Sequence, residues 1–138
     1  MNGSPNRILA VVFGAVYLLV GILGFFATPG VGFFDPEGGL LLGIFEVNIA
    51  HNIVHLLIGA VLLIAGLRSV PAAKAANTTV GAVYLLVGII GLFLVDSPAN
   101  ILALNAADNV LHFGTAIILL GVGLGLERDR RGATSRTA

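Results

Sequence analysis

The chain has no cysteine and no tryptophan, a single methionine, and only seven basic and seven acidic residues in 138, for a formal net charge of zero. Without cysteine, disulfides, thiolate metal sites and cysteine catalysis are excluded. Without tryptophan, tyrosine and phenylalanine must supply any interfacial aromatics. The balanced charge leaves no basic face for nucleic acid. No serine–histidine, paired-carboxylate, phosphate-loop or dinucleotide signature is present, so nothing in the sequence specifies an enzyme.

What the chain has in excess is apolar surface: 57% of residues are hydrophobic and 10% charged, with a mean hydropathy of +1.03. Apolar runs fall at about 8–27, 40–67, 77–95 and 99–126. A spanning helix needs about 20 such residues, so each run is read as a membrane helix. The first is longer than the apolar region of a signal peptide, about 7–15 residues, and is expected to be retained. The expected fold is all-α, a four-helix integral membrane bundle in one domain over residues 1–138.

The chain also repeats itself. Gly14–Gly24 reads GAVYLLVGILG and Gly81–Gly91 reads GAVYLLVGIIG, ten matches in eleven at an offset of 67. A second echo, at an offset of 57, relates Asn48, His51, Asn52 and His55 to Asn105, Asp108, Asn109 and His112. This pattern predicts a tandemly duplicated two-helix hairpin, with repeat 1 at about 7–67, repeat 2 at about 76–126 and a polar tail at 127–138. With two spans per repeat, both copies run the same way, and their pseudo-two-fold axis lies along the membrane normal.

Charge placement orients the bundle. Arg7, Arg68, Lys74, Arg128, Arg130, Arg131 and Arg136 all fall on one side, whereas the other two loops hold Asp35, Glu37 and Asp96. The positive-inside rule puts both termini, and the tail, in the cytoplasm. The expected partners are the lipid bilayer and either a homo-oligomer or a larger membrane complex.

Helical spacing places Asn48, His51, Asn52 and His55 on one face, and Asn105, Asp108, Asn109 and His112 on another. Polar groups within a span are costly against lipid and should face the bundle interior. At 1.5 Å per residue, His55 and His112 lie about 18 and 21 Å above the inner helix ends, near the midplane. Tyr17 and Tyr84 fall at the same depth and are expected to hydrogen-bond with this cluster. Gly14, Gly21, Gly24, Gly81, Gly88 and Gly91 line the facing helices. They either allow close packing or, at Gly21 and Gly88, leave room for a flat ligand.

Three functions follow from this cluster. His51, His55, His112 and Asp108 offer a first shell for zinc or iron, with amides such as Asn52 and Asn109 fixing the imidazoles. Alternatively, His55 and His112 ligate haem b. An up-down-up-down bundle places helices 2 and 4 on a diagonal of about 13 Å, wide for a bare ion unless the bundle flattens. The cluster could instead be a proton relay or small-solute transport element, although its inner half, from Leu56 to Leu67 and Phe113 to Leu126, has no polar group but Thr115. Or it is purely structural, fixing helix register in a membrane subunit. The favoured reading is a binding or accessory protein whose cluster holds a metal, haem or ordered water.

The run HNIVHLLIG from His51 to Gly59, with Asn48 ahead of it and NVLH in the second half, resembles a family of small bacterial four-span membrane proteins known as a domain of unknown function. The N-x-x-H-N-x-V-H motif carries the resemblance, which covers about 7–126. It implies the four-span fold, singles out Asn48, His51, Asn52 and His55, and brings no activity, cofactor or partner; the membrane expected for the chain is the bacterial inner one.

Overall fold

The computed structural model describes residues 3–127. Its elements are α1 (Pro5–Ala27), β1 (Gly39–Leu41), β2 (Phe45–Val47), α2 (Ile49–Arg68), α3 (Val70–Leu94) and α4 (Ala106–Gly125). All four helices are long and apolar enough to cross a membrane. Their outward faces carry large apolar side chains, among them Phe26, Leu57, Ile64, Phe93 and Ile117. The protein is thus a multi-pass membrane protein with a lipid-facing apolar belt. Arg128, Arg130, Arg131 and Arg136 lie outside the described residues.

Three helix boundaries differ from the apolar runs. Helix α2 starts at Ile49 rather than near 40, because the Asn48 side chain caps it by accepting from the His51 N–H at 2.9 Å. The residues ahead of it form an antiparallel hairpin, with Leu41 opposite Phe45. Helix α4 starts at Ala106 rather than near 99, capped by Asn105 in the same way. Helix α3 starts at Val70 rather than near 77, so only Ser69 separates it from α2. Ser69 breaks the α2 helix with an extended backbone and caps α3 by accepting from Ala72 N–H, while Pro71 occupies the first turn, where no N–H partner is needed.

Packing is strongest within the pairs α1/α2 and α3/α4. Glycine makes it possible. A Cβ on Gly14 would lie 2.5 Å from the Leu63 nitrogen, and one on Gly59 would lie 2.7 Å from the Leu18 nitrogen. The backbones touch because no side chain separates them. Across the bundle, α1 also meets α3, whereas α2 and α4 scarcely meet. The bundle is flattened along the α1–α3 diagonal, where Tyr17 and Tyr84 stack with centroids 5.4 Å apart.

The end of the bundle that carries both termini, taken from the charge pattern as the inner end, is closed by a polar clasp. Arg7 donates to the Gly66 and Leu67 carbonyls at 2.8 and 2.9 Å. Lys74 does the same for Leu126 and Glu127 at 3.3 and 3.1 Å. Each cation meets carbonyls at a helix C-terminus, which lack intrahelical partners and carry the negative end of the helix dipole. Between them, buried Asn77 donates to Asn6 O and Oδ1, both at 3.0 Å. Asn6 in turn donates to Glu127 Oε2 from its side chain at 2.9 Å and its backbone at 3.2 Å.

Two outcomes follow from this packing. Gly14→Val should lower unfolding free energy by about 1–3 kcal/mol or more, as overpacking does. Gly121→Val should be nearly silent, since nothing lies within 4 Å of a Cβ there; detergent unfolding of both variants checks the contrast. The second outcome concerns Glu127. The Ser4 hydroxyl, then the Asn6 donors and Lys74, hold its carboxyl below the usual range. A depressed carboxyl contributes stability above its unfolded pKa, about 4.3, and loses it as pH falls through the folded value. The acid-side fall in melting temperature should therefore be slightly shallower in Glu127→Gln, the effect being small because an exposed group is well screened.

Candidate functional site

The two asparagines that open the motifs act outside the histidine cluster. Asn48 Nδ2 donates to the Ile101 carbonyl at 2.8 Å and the Asp35 carbonyl at 3.0 Å. Asn105 Nδ2 donates to the Ile44 carbonyl at 2.9 Å. Each cap therefore grips the segment ahead of the other capped helix. This ties the halves together at the outer end and fixes the first turns of α2 and α4, from which His51 and Asp108 project.

Asp108 does not join the histidines. Its Oδ2 accepts from Asn105 N–H at 2.9 Å, completing a capping box, and from Glu46 N–H at 3.2 Å. A carboxylate at a helix N-terminus meets free N–H groups and the positive dipole end, a better partner than a distant imidazole. Asn52 and Asn109 are buried, but both reach toward α1 and α3. Asn52 Nδ2 donates to Thr28 Oγ1 at 3.3 Å. The amide oxygens of Asn52 and Asn109 have no conventional donor; they sit where a Cβ on Gly24 or Gly91 would be. These glycines are absent side chains that make room for amides, and their Cα–H groups are the donors left in reach.

The three histidines do converge. His51, His55 and His112 are 2%, 5% and 3% exposed, and one nitrogen from each lies within 4.8 Å of the others. Ring centroids are 4.4 Å apart for His51 and His55 and 6.0 Å for His51 and His112. The convergence comes from side-chain reach, since α2 and α4 stay apart while α1 and α3 approach. The flattening thus runs along the other diagonal from the one that would bring α2 and α4 together. Zinc–nitrogen bonds of 2.0–2.1 Å place tetrahedral ligands about 3.3 Å apart, tighter than the 4.8 Å that bounds these nitrogens. All three Nδ1 atoms are buried without a hydrogen-bond partner. Buried polar atoms are nearly always paired, so three orphans in one cluster of rings need a reason.

The space between them is small, about 40 Å³, lined also by Val54, Leu102 and Tyr84. It suits an ion or one water, whereas organic ligands occupy about 300–1,000 Å³. The room anticipated beside Gly21 and Gly88 is filled: a Cβ on Gly21 would meet Leu56 at 2.8 Å, and one on Gly88 would meet Phe113 at 3.1 Å. A porphyrin between His55 and His112 has no space, and close packing explains these glycines.

The tyrosines lie against the imidazoles without bonding to them. Tyr17 is 5.4 Å from His55 and Tyr84 is 5.0 Å from His112, centroid to centroid. Tyr17 OH bonds with Thr115 Oγ1 at 3.1 Å, so its expected partner in the Asn/His cluster is replaced by a threonine one turn below His112. Beneath this layer Leu62, Ala116 and Leu119 are wholly buried. On the outer side, a cleft of about 410 Å³ is lined by Asp35, Glu37, Glu46 and Asp96.

Residues 7–125 match the family described as a domain of unknown function, DUF4383. The chain belongs to this family. No curated protein and no solved structure matches it. The other residues that shape this DUF4383 member's site, Thr28, Thr115, Leu102 and the Ile44 and Ile101 carbonyls, carry no motif. The caps did leave a signal, an asparagine three residues before Asp108, which is the spacing of a capping box.

Removing the Tyr17 hydroxyl tests the layer below the histidines. Tyr17→Phe leaves Thr115 Oγ1 without this partner and should cost about 0.6–1.7 kcal/mol, the span measured for hydrogen bonds between membrane helices. Thermal unfolding in detergent, beside Thr115→Val and the double variant, measures the coupling.

Proposed function

We propose that this protein is a membrane metal-binding or accessory protein whose three imidazoles, His51, His55 and His112, hold one transition ion, zinc or iron, near the bilayer midplane. The observation that carries the reading is the convergence of three buried imidazoles, one nitrogen of each within 4.8 Å of the others, whose Nδ1 atoms are all unpaired. Neutral imidazole suits both metals. The ion would supply Lewis acidity or, for iron, redox capacity. The protein's own part is to hold the rings in register through the Asn48 and Asn105 caps, to keep Asp108 in its capping role, and to keep lipid and bulk water away.

The surrounding polar residues favour a division of labour. Asn48, Asn52, Asn105 and Asn109 serve packing and capping, which accounts for the structural reading of the cluster without involving the histidines. The same proposal places the chain as one domain of two similar hairpins in a bacterial inner membrane. Arg7, Arg68 and Lys74 lie on the cytoplasmic side and the acidic cleft on the outside. Assembly into a homo-oligomer or a larger complex fits the exposed apolar belt.

Elemental mass spectrometry on protein purified in mild detergent without chelators tests this directly. Zinc or iron should approach one ion per chain in wild type, fall to background in His55→Ala, and persist in Asp108→Asn. Wild-type protein that carries neither metal, and takes up neither on dialysis, would sink the proposal.

A further inference from the structure

The Tyr84 hydroxyl lies near that of Tyr17 but makes no hydrogen bond of full geometry. The residue is 3% exposed, and its oxygen is buried without a hydrogen-bond partner. It lines the same small cavity as the three histidines. Its counterpart at the 67-residue offset, Tyr17, is paired with Thr115 on α4. The position equivalent to Thr115 at the 57-residue offset is Ile58 on α2. Ile58 also lines the cavity and offers no polar atom. The two halves therefore differ at the pair that satisfies Tyr17. An unpaired phenol in an apolar layer costs free energy and calls for an explanation.

Charge supplies one. Three neutral imidazoles leave a divalent ion's two positive charges uncompensated in a low-dielectric setting. The nearest carboxylates are engaged elsewhere: Asp108 by the Asn105 and Glu46 N–H groups, Glu46 by the Gly38 N–H at 2.7 Å. Among the residues lining the cavity, only Tyr84 can provide an anion.

We infer that the Tyr84 oxygen is the fourth donor, making the site a three-imidazole, one-phenolate centre for a transition ion. The inference rests on the metal reading above and adds the ligand that sets its charge. As the metal–oxygen bond forms the O–H bond breaks, and the proton leaves with water shed by the incoming ion. No electron is transferred. Donors of this kind, three nitrogens and one hard anionic oxygen, suit zinc, ferric iron or cupric ion over soft monovalent copper.

Cupric ion alone is the probe, because it heads the divalent affinity series and its phenolate complexes absorb visible light. Titration of the purified full chain should give one His55-dependent site with a phenolate-to-copper charge-transfer band and tyrosinate modes in resonance Raman. Tyr84→Phe should lose the band and bind copper at least about tenfold more weakly. Tyr17→Phe should keep the band, which also controls for ring packing. His55-dependent copper binding without the band overturns the Tyr84 assignment and leaves the metal site standing, as does a band that survives in Tyr84→Phe. Absence of any His55-dependent binding overturns both.

Discussion

The bundle depends on an exchange of two capping amides at its outer end. Asn48 caps α2 and reaches the Ile101 carbonyl; Asn105 caps α4 and reaches the Ile44 carbonyl. Each amide satisfies a helix terminus with its oxygen and a loop carbonyl of the other half with its nitrogen. Near a bilayer, where loop carbonyls cannot rely on water, this is an economical way to hold two hairpins together. It also sets the position of everything below. His51 is the residue whose N–H the Asn48 oxygen accepts, and His55 follows one turn later, so the rotation of α2 that points both rings inward is fixed at its first turn. On α4 the same geometry fixes Asp108 and His112.

The inner end works by different chemistry. There the C-termini of α2 and α4 present carbonyls, and the side chains that meet them are cations, Arg7 and Lys74. These two residues stand at the same 67-residue offset as the glycine-rich segments. Basic residues counted in sequence as topology markers are thus helix caps as well. Between the two polar ends lies a layer held by backbone contact at Gly14 and Gly59, by fully buried Leu62 and Leu119, and by the stacked tyrosines. The histidines sit above that layer. The acidic cleft and the histidine cavity share no lining residue, so the imidazoles are enclosed above as well as below.

The sequence made the four spans plain, along with the glycine faces and the residues of the histidine cluster, because membrane helices must be long and apolar and polar residues within them stand out. It did not reveal where α2 and α4 begin. The segments 40–47 and 99–104 are as apolar as a span, and hydropathy cannot separate a hairpin of Leu and Ile from the helix it precedes. Asn48 and Asn105 looked like members of a buried face because they fit its spacing, yet the same spacing is that of a helix cap. The inner clasp was hidden for another reason. Asn6 and Asn77 are single polar residues whose partners, Glu127 and Asn6, are distant in sequence, and only packing brings them together.

The echo between the halves is most informative where it fails. His51 faces Asp108 in the alignment, and Thr115 faces Ile58. At the first position, the acid completes a capping box on α4, while the imidazole on α2 turns inward to join His55 and His112. At the second, Thr115 satisfies Tyr17, while Ile58 leaves Tyr84 unsatisfied. Both departures bear on one cavity, lined by three imidazoles with unpaired Nδ1 atoms and by Tyr84. A bundle optimised for stability alone would gain from threonine at 58, since a buried hydroxyl without a partner is unfavourable. The unpaired hydroxyl and the three unpaired Nδ1 atoms thus belong to residues lining one cavity, a grouping that stability alone does not account for.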